Sequence, residues 1–467
     1  MTKKSNIILL TVLVIFIAGF VYVGYRFYKT YNSIQVGKRN YGYKSTCKGL
    51  ASQIFLRGDW MGLLIDSDIN FTDGAHNIVP YDLDNDGKLE LIANSYRSDV
   101  LILYKYDGDT HSPLNWSKYV IDNSVGEGNP KTPVIKFLSS IVKEKLLGGY
   151  TGGAHYTAIS DMNGDSRDDL IVAGDLKRYD IVIYETPKDI TKVSLWEKHF
   201  VYKNDSHRTY HVETGDIDGD GEQDIVFTTK TDNSVGWLKN DRSSSEWYLT
   251  WVDNNCIRCF NARVADIDND GQNDIIASED NSTNGGKLHF YSYLNNPTLQ
   301  ANWINRVIAN FPVGHGVSIF KIIDIDKDGD LDIVTGNHQG EIYILKNPYL
   351  NNGDQVWKKY RISNGTINNH SLREIDIGDV DGDGDIDVIA ADCKKDMVFW
   401  LENGGITFYE NWEEHVIDKS NQYLRWCHSV ELGDIDGDGD LDVVVAAAAS
   451  NVFIIYFNNM NTNSINP

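Results

Sequence analysis

The sequence predicts an all-β fold: a seven-bladed β-propeller closed by an N-terminal strand and preceded by one transmembrane helix. Three observations carry this. An aspartate-rich nonapeptide recurs seven times, a Trp-x-x-x-x-Ile/Val motif recurs seven times, and the two series are offset by one element at the ends of the chain.

The nonapeptide reads D-x-D-x-D-G-x-x-D/E, and its copies start at intervals of 79, 55, 50, 58, 55 and 55 residues. Positions 1, 3, 5 and 9 are Asp82, Asp84, Asp86 and Glu90 in the first copy, and Asp161, Asn163, Asp165 and Asp169 in the second. The third supplies Asp216, Asp218, Asp220 and Asp224, and the fourth Asp266, Asp268, Asp270 and Asp274. The last three supply Asp324, Asp326, Asp328 and Asp332; Asp379, Asp381, Asp383 and Asp387; and Asp434, Asp436, Asp438 and Asp442. Carboxylates at this spacing converge on one turn, and the carbonyl of position 7 joins them. That is the oxygen-rich shell a hard cation requires, so up to seven structural Ca²⁺ ions are expected. Glycine at position 6 permits the sharp bend. The second copy, with Asn163 and Ser166 replacing Asp and Gly, is expected to bind most weakly. An EF-hand would need a Glu at position 12 and flanking helices. Here the flanks are β-branched runs, as in residues 442–445, and read as strands.

The second motif starts at Trp60, Trp116, Trp196, Trp247, Trp303, Trp357 and Trp412. Between each loop and the next Trp lies one apolar strand, as at 101–104 or 235–238. Each unit therefore holds four strands: A leads into the loop, B leaves it, C follows, and D carries the Trp. Four-stranded units at this period are propeller blades. The last loop is followed by residues 452–456 but by no Trp strand, whereas Trp60 precedes every loop. The N-terminal strand is expected to complete the last blade and leave no open edge.

Residues 7–25 are almost wholly apolar and long enough to cross a bilayer. A secretory signal peptide competes with this reading. No small-x-small cleavage site precedes Tyr25 and Arg26, which favours an uncleaved anchor. The expected organisation is a short cytoplasmic end (1–5), a transmembrane signal-anchor (6–25), a juxtamembrane stalk (26–56), the propeller (57–460, with an insertion at 123–154) and a tail (461–467). Lys3 and Lys4 on one side, against Arg26, Lys29, Lys38 and Arg39 on the other, leave the orientation open. The calcium loops settle it, because such loops fill where calcium is plentiful. The propeller is expected on the extracytoplasmic side, in the periplasm or at the cell surface.

The net charge of −24 excludes nucleic acid as a partner, since phosphate would be repelled. Much of this charge sits in the loops, where six copies of four carboxylates and one of three make 27. Five cysteines define no disulfide framework. Cys256 and Cys259 are read as a small disulfide, as soft metal ligands, or as two free thiols.

A second constellation precedes the A strands: His76, His155, His211, His315, His370 and His428, with Asn261 beside Cys259 in the fourth blade. The A strand separates these groups from the loop by roughly 15–20 Å at ~3.3 Å per residue. They should therefore line the opposite mouth of the central channel. The B-strand ends reach the same face with Asn94, Arg97, Asp175, Lys177, Lys230, Glu279, Asp280, Asn337, His338, Asp392 and Cys393. The connection from 121 to 155 is the longest of its kind. With a short amphipathic helix at 134–147, it is expected to act as a lid or specificity loop. The histidines are read in three ways: ties between blades, a polar ligand-binding mouth, or an acid–base or transition-metal site for Zn²⁺, Mn²⁺ or Fe.

Residues 433–446, Gly-Asp-Ile-Asp-Gly-Asp-Gly-Asp-Leu-Asp-Val-Val-Val-Ala, resemble an FG-GAP or VCBS-type repeat. The resemblance extends over 57–457 and implies the calcium-binding propeller of integrin α-chains and many bacterial surface proteins. Related propellers also act as family 11 rhamnogalacturonan lyases and as an aldos-2-ulose dehydratase, to which the His-Gly-Val run at His315 is similar. Fold alone does not fix function. The leading expectation is a membrane-anchored calcium-binding propeller that recognises a glycan or surface protein through its His-rich mouth. The alternatives are a metal-assisted carbohydrate-active enzyme, either polysaccharide lyase or dehydratase, and a structural scaffold of a membrane complex.

Overall fold

The structure, a computed structural model, describes residues 45–46 and 54–460, apart from 109, 113–114, 124, 126–152, 175–180, 203–208, 243–245, 282, 349–355, 364–370, 406–411 and 421. The expected span (6–25), most of the stalk, the helix at 134–147 and the tail lie outside these residues. No helix among the described residues is long and apolar enough to cross a membrane.

Seven antiparallel sheets follow one another along the chain, each in A-B-C-D order. Blade one runs Ala75–Tyr81, Glu90–Ser95, Val100–Tyr106 and Trp116–Asp122. The A strands of blades two to seven are Ala154–Ser160, Thr209–Gly215, Cys259–Ala265, Val317–Ile323, Leu372–Gly378 and Cys427–Gly433. Each A strand contacts the A strand of the next blade, and the seventh contacts the first, so the ring is closed around a central channel. The seven-bladed propeller is as expected.

The B strands explain the stacking. Asp442–Ala447 and its six counterparts are buried at every residue, because both faces of each sheet are covered by neighbouring blades. The core is correspondingly divided into seven apolar clusters, each straddling one seam between adjacent blades. The strand Trp60–Asp66 pairs antiparallel with Val452–Asn458, with Leu63 opposite Ile455, and supplies the D strand of blade seven. A further strand, Ile54–Arg57, pairs outside it, and Arg57 Nε donates to Asp418 of blade six at 2.7 Å.

A feature the Trp motif only half disclosed is the residue that follows it. Asp66, Asp122, Asp253 and Asp418 each stand one position after the motif. Each accepts a hydrogen bond from a C-strand tyrosine of the next blade: Tyr104 (2.7 Å), Tyr184 (2.8 Å), Tyr291 (2.8 Å) and Tyr456 (2.9 Å). Buried hydroxyls need such partners, so these pairs latch four of the seven seams.

Candidate metal loops and channel mouth

The loops are built by their own carboxylates. Asp82 accepts the backbone N–H groups of Asp86 and Gly87 at 3.0 and 2.9 Å. The first aspartate plays the same part in the other copies, for example Asp434 toward Gly437 and Gly439. The position-6 glycine is left-handed, with φ of 81° at Gly87 and 96° at Gly439. In the second copy Ser166 stands in this region at φ 66°, a strained conformation that every other copy gives to glycine at position 6.

Position 9 opens the B strand and is buried. Asp442 accepts from the backbone N–H groups of Ile435 (2.9 Å) and Asn458 (2.8 Å), and Asn458 in turn donates to the Val380 carbonyl of blade six. Burial raises Asp169 to about 6, Asp224, Asp332 and Asp387 to about 7, and Asp274 and Asp442 to about 8. Near neutral pH, carboxylates held this way ionise more readily when a cation compensates them. The donor set suits a hard cation. Oxygens of Asp82, Asp84 and Asp86, of Asp216, Asp218 and Asp220, and of Asp266, Asp268 and Asp274 converge within 4.8 Å of one another. Buried oxygens of Asp218, Asp268, Asp330 and Asp440 have no hydrogen-bond partner among the described residues.

At the other end of the A strands the channel mouth gathers side chains from different blades. His155 Nδ1 lies 3.1 Å from His76 Nε2, and the His76 ring lies 4.0 Å from that of His428, centroid to centroid. Tyr96 and Tyr210 flank His155 at 4.7 and 4.9 Å. His211 stands one residue deeper, against Tyr156 at 4.7 Å. Burial lowers His76 to about 4 and His211 and His428 well below the ordinary histidine value, so all three are neutral at physiological pH. The nearby positive charges of Arg373 and Lys230 push His76 and His428 the same way.

Lys230 lies over the rings of Phe260 (4.4 Å) and Tyr210 (4.8 Å), and burial lowers it to about 8. Its nearest carboxylate, Asp280 at 3.8 Å, also receives Arg258 (3.0 Å) and His338 (2.8 Å). Among the described residues Arg373 Nε has no hydrogen-bond partner and this guanidinium has no carboxylate ion pair. The side-chain amide of Asn261 and the Nδ1 atoms of His211 and His428 also lack a hydrogen-bond partner among the described residues. A side chain on Gly153, at the root of the insertion, would meet the Tyr96 carbonyl at 1.7 Å, so this approach to the mouth admits only glycine.

Below the mouth the channel is filled by charge. Arg263 pairs with Glu213, and Lys321 with Asp376 (3.0 Å) and Glu431 (3.2 Å). Tyr156 of blade two donates across the channel to Glu374 of blade six at 3.2 Å. Burial raises Glu374 and Glu431, which is how four carboxylates coexist here with two cations.

With this geometry in view, the comparisons are decisive on one point. The FG-GAP-like repeat family matches five overlapping stretches, residues 161–227, 216–277, 266–335, 324–390 and 379–445, which together span more than half of the chain. The chain belongs to the FG-GAP-like repeat family. Among curated proteins, none matches its sequence. Among solved structures, a chain of the crystal structure of BBS1N in complex with ARL6DN, soaked with mercury, is similar at a TM-score of 0.50 and 11% identity. The match covers 87% of this chain and 99% of that one. The lead-soaked crystal of the same complex gives a TM-score of 0.48 at 12% identity with the same coverage. At 11% identity the mercury-soaked likeness concerns the fold alone.

Within this FG-GAP propeller the sequence-predicted site residues fall into three groups. His76, His155, His211 and His428 come together, with Asn261 at the level of His211 in the next blade. His315 instead pairs with Glu341 at 2.7 Å, His338 with Asp280, and Arg97 lies 3.5 Å from Asp73. His370, Asp175 and Lys177 lie outside the described residues. Cys256 and Cys259 are joined in a disulfide. Tyr210, Arg373 and the ionic filling were not singled out from the sequence. Aligning the A strands residue by residue would have exposed them, because the second, third and fifth positions carry them.

Proposed function

We propose that this FG-GAP propeller is a membrane-anchored, extracytoplasmic recognition module, stabilised by Ca²⁺ in its Asp loops, that binds an acidic glycan at the channel mouth. The observation that carries the reading is Arg373. Among the described residues it is a guanidinium without a carboxylate partner, set in an aromatic- and imidazole-rich mouth with Lys230 nearby, in a chain whose net charge is −24. A cation held uncompensated beside aromatic rings is suited to a carboxylate on an apolar-faced ring, as in a uronic acid. The disulfide supports an oxidising compartment. The apolar stretch at 7–25 supports the anchor.

Titration of the full chain in detergent with oligouronides tests this. Binding that is lost in Arg373→Ala and absent for the neutral oligosaccharides is expected; equal binding of both overturns the acidic specificity. The same groups favour a second reading, lyase chemistry, because Lys230 is lowered to about 8 beside Tyr210 and could exchange protons near neutrality. Ultraviolet absorbance from an unsaturated product would establish that reading, and its absence would leave recognition.

A further inference from the structure

In three of the seven loops a lysine of the C strand sits among the carboxylates, whereas in the second loop Arg167, from the loop itself, reaches Asp165 alone. In blade one, Lys105 Nζ lies 2.9 Å from Asp84, 3.0 Å from Asp86 and 2.5 Å from Glu90. In blade three, Lys239 Nζ contacts Asp218 and lies 2.5 Å from Asp220. In blade five, Lys346 Nζ reaches Asp326 (2.7 Å), Asp328 (2.8 Å), Asp330 (3.0 Å) and Asp332 (3.2 Å).

The three lysines occupy one rung of the repeat. Each follows the C-strand residue that pairs with the second residue of the B strand: Tyr104 opposite Leu91, Leu238 opposite Ile225, Leu345 opposite Ile333. On the same rung the other blades carry Glu185, Ser292, Glu402 and Phe457. None of these is a cation. Glu185 and Glu402 face the D strand instead, where His199 and His415 hold them at 3.0 and 2.7 Å.

We propose that the lysine rung divides the loops into two classes: those of blades one, three and five are filled by a tethered ammonium, and those of blades two, four, six and seven take up calcium. The inference rests on the reading of the loops as calcium sites. Its physical basis is competition. An ammonium on its own strand is present at high effective concentration, and its three donors satisfy the carboxylate oxygens that Ca²⁺ would coordinate. A calcium ion must expel it before it can bind. From blade one to blade six, self-filled and calcium-dependent blades therefore alternate.

Calcium counting on the full chain, by calorimetric titration and by metal analysis after exhaustive dialysis, tests the division. Wild type is expected to bind four ions, with the second loop the weakest. The triple variant Lys105→Met, Lys239→Met, Lys346→Met should bind seven, since methionine keeps the apolar stem and removes the charge. Ser292→Lys should lower the wild-type count by one, and this variant serves if the triple does not fold. A wild-type count above four overturns the division, as does a Ser292→Lys count equal to wild type. Absence of calcium from both wild type and the triple variant would instead sink the calcium reading itself.

Discussion

At the A–B turns all seven blades place Asp at positions 1 and 5 and an acid at position 9. At the other end of the same strands the second residues are His76, His155, Tyr210, Phe260, Ser318, Arg373 and His428. The two faces are built on one set of strands, yet one keeps the ring's symmetry and the other breaks it. Radial packing asks the same thing of every blade, so what serves the fold recurs. A ligand with no sevenfold symmetry asks something different of each blade, so what serves recognition varies. The contrast assigns the loops to stability and the mouth to binding, and it can be tested from both sides.

The largest effect should come from calcium. A loop held at a hundredfold excess over its Kd gains ~2.7 kcal/mol from the ion, and several loops act together. Chelation should therefore lower the Tm by on the order of 10 °C. Unchanged melting in a chelator would remove the loops from the stability account.

Next is Asp442→Ala, which strands the N–H groups of Ile435 and Asn458 in the core. At ~1–3 kcal/mol for each buried unsatisfied group, a loss of roughly 2–5 kcal/mol in denaturant unfolding is expected. His428→Ala, at the other end of the same hairpin, should cost less than half as much. Equal losses would erase the distinction between the faces.

Arg373→Ala should do the reverse. Losing a charge-assisted contact of ~1.5–3 kcal/mol should weaken oligouronide binding roughly 10- to 100-fold while leaving the melting curve in calcium within a degree or two.

The smallest effect is also the most discriminating, because the two faces respond to pH with opposite sign. The position-9 aspartates have folded values raised to between about 6 and 8, above the ordinary value for an unfolded chain. Their contribution is present at low pH and is lost as pH rises through those values. His76, His211 and His428 are lowered, so their contribution is present above the ordinary histidine value of ~6.5 and is lost as pH falls below it. In a chelator the Tm should decline between pH 6.5 and 8.5. With calcium bound that slope should vanish, and the decline below pH 6 should remain. A chelated protein that melts at one temperature from pH 6.5 to 8.5 would contradict the loop half of the comparison.

The same contrast explains how much could be seen in the sequence. Blade number, strand order and the closing role of Trp60–Asp66 were legible because each rests on a repeated residue or on an offset between repeats. The tyrosine latches were half legible: the aspartate one position after the Trp motif is visible, but its partner lies in the next blade. The mouth was the least legible. His76, His155 and His428 share a strand position and were found together. His315 and His338 were grouped with them by residue type, but they are taken up by Glu341 and Asp280. Arg373 was overlooked because nothing in a periodic pattern marks the member that departs from it. Residues that act by differing from their counterparts cannot be found by looking for what recurs.

The strand Trp60–Asp66 has the short strand Ile54–Arg57 on one edge but finds its partner on the other edge only at Val452–Asn458, across almost the whole described chain. Its apolar residues, among them Leu63, Leu64 and Ile65, must wait without the rest of their blade while six blades are made. At a synthesis rate of about 5–20 residues per second, that wait lasts on the order of 20 to 80 seconds. During this time the segment keeps one edge unpaired and its apolar faces uncovered. The closure that gives the finished ring no free edge therefore makes this segment the one most exposed to misassembly while the chain is still growing, and a natural client for a chaperone.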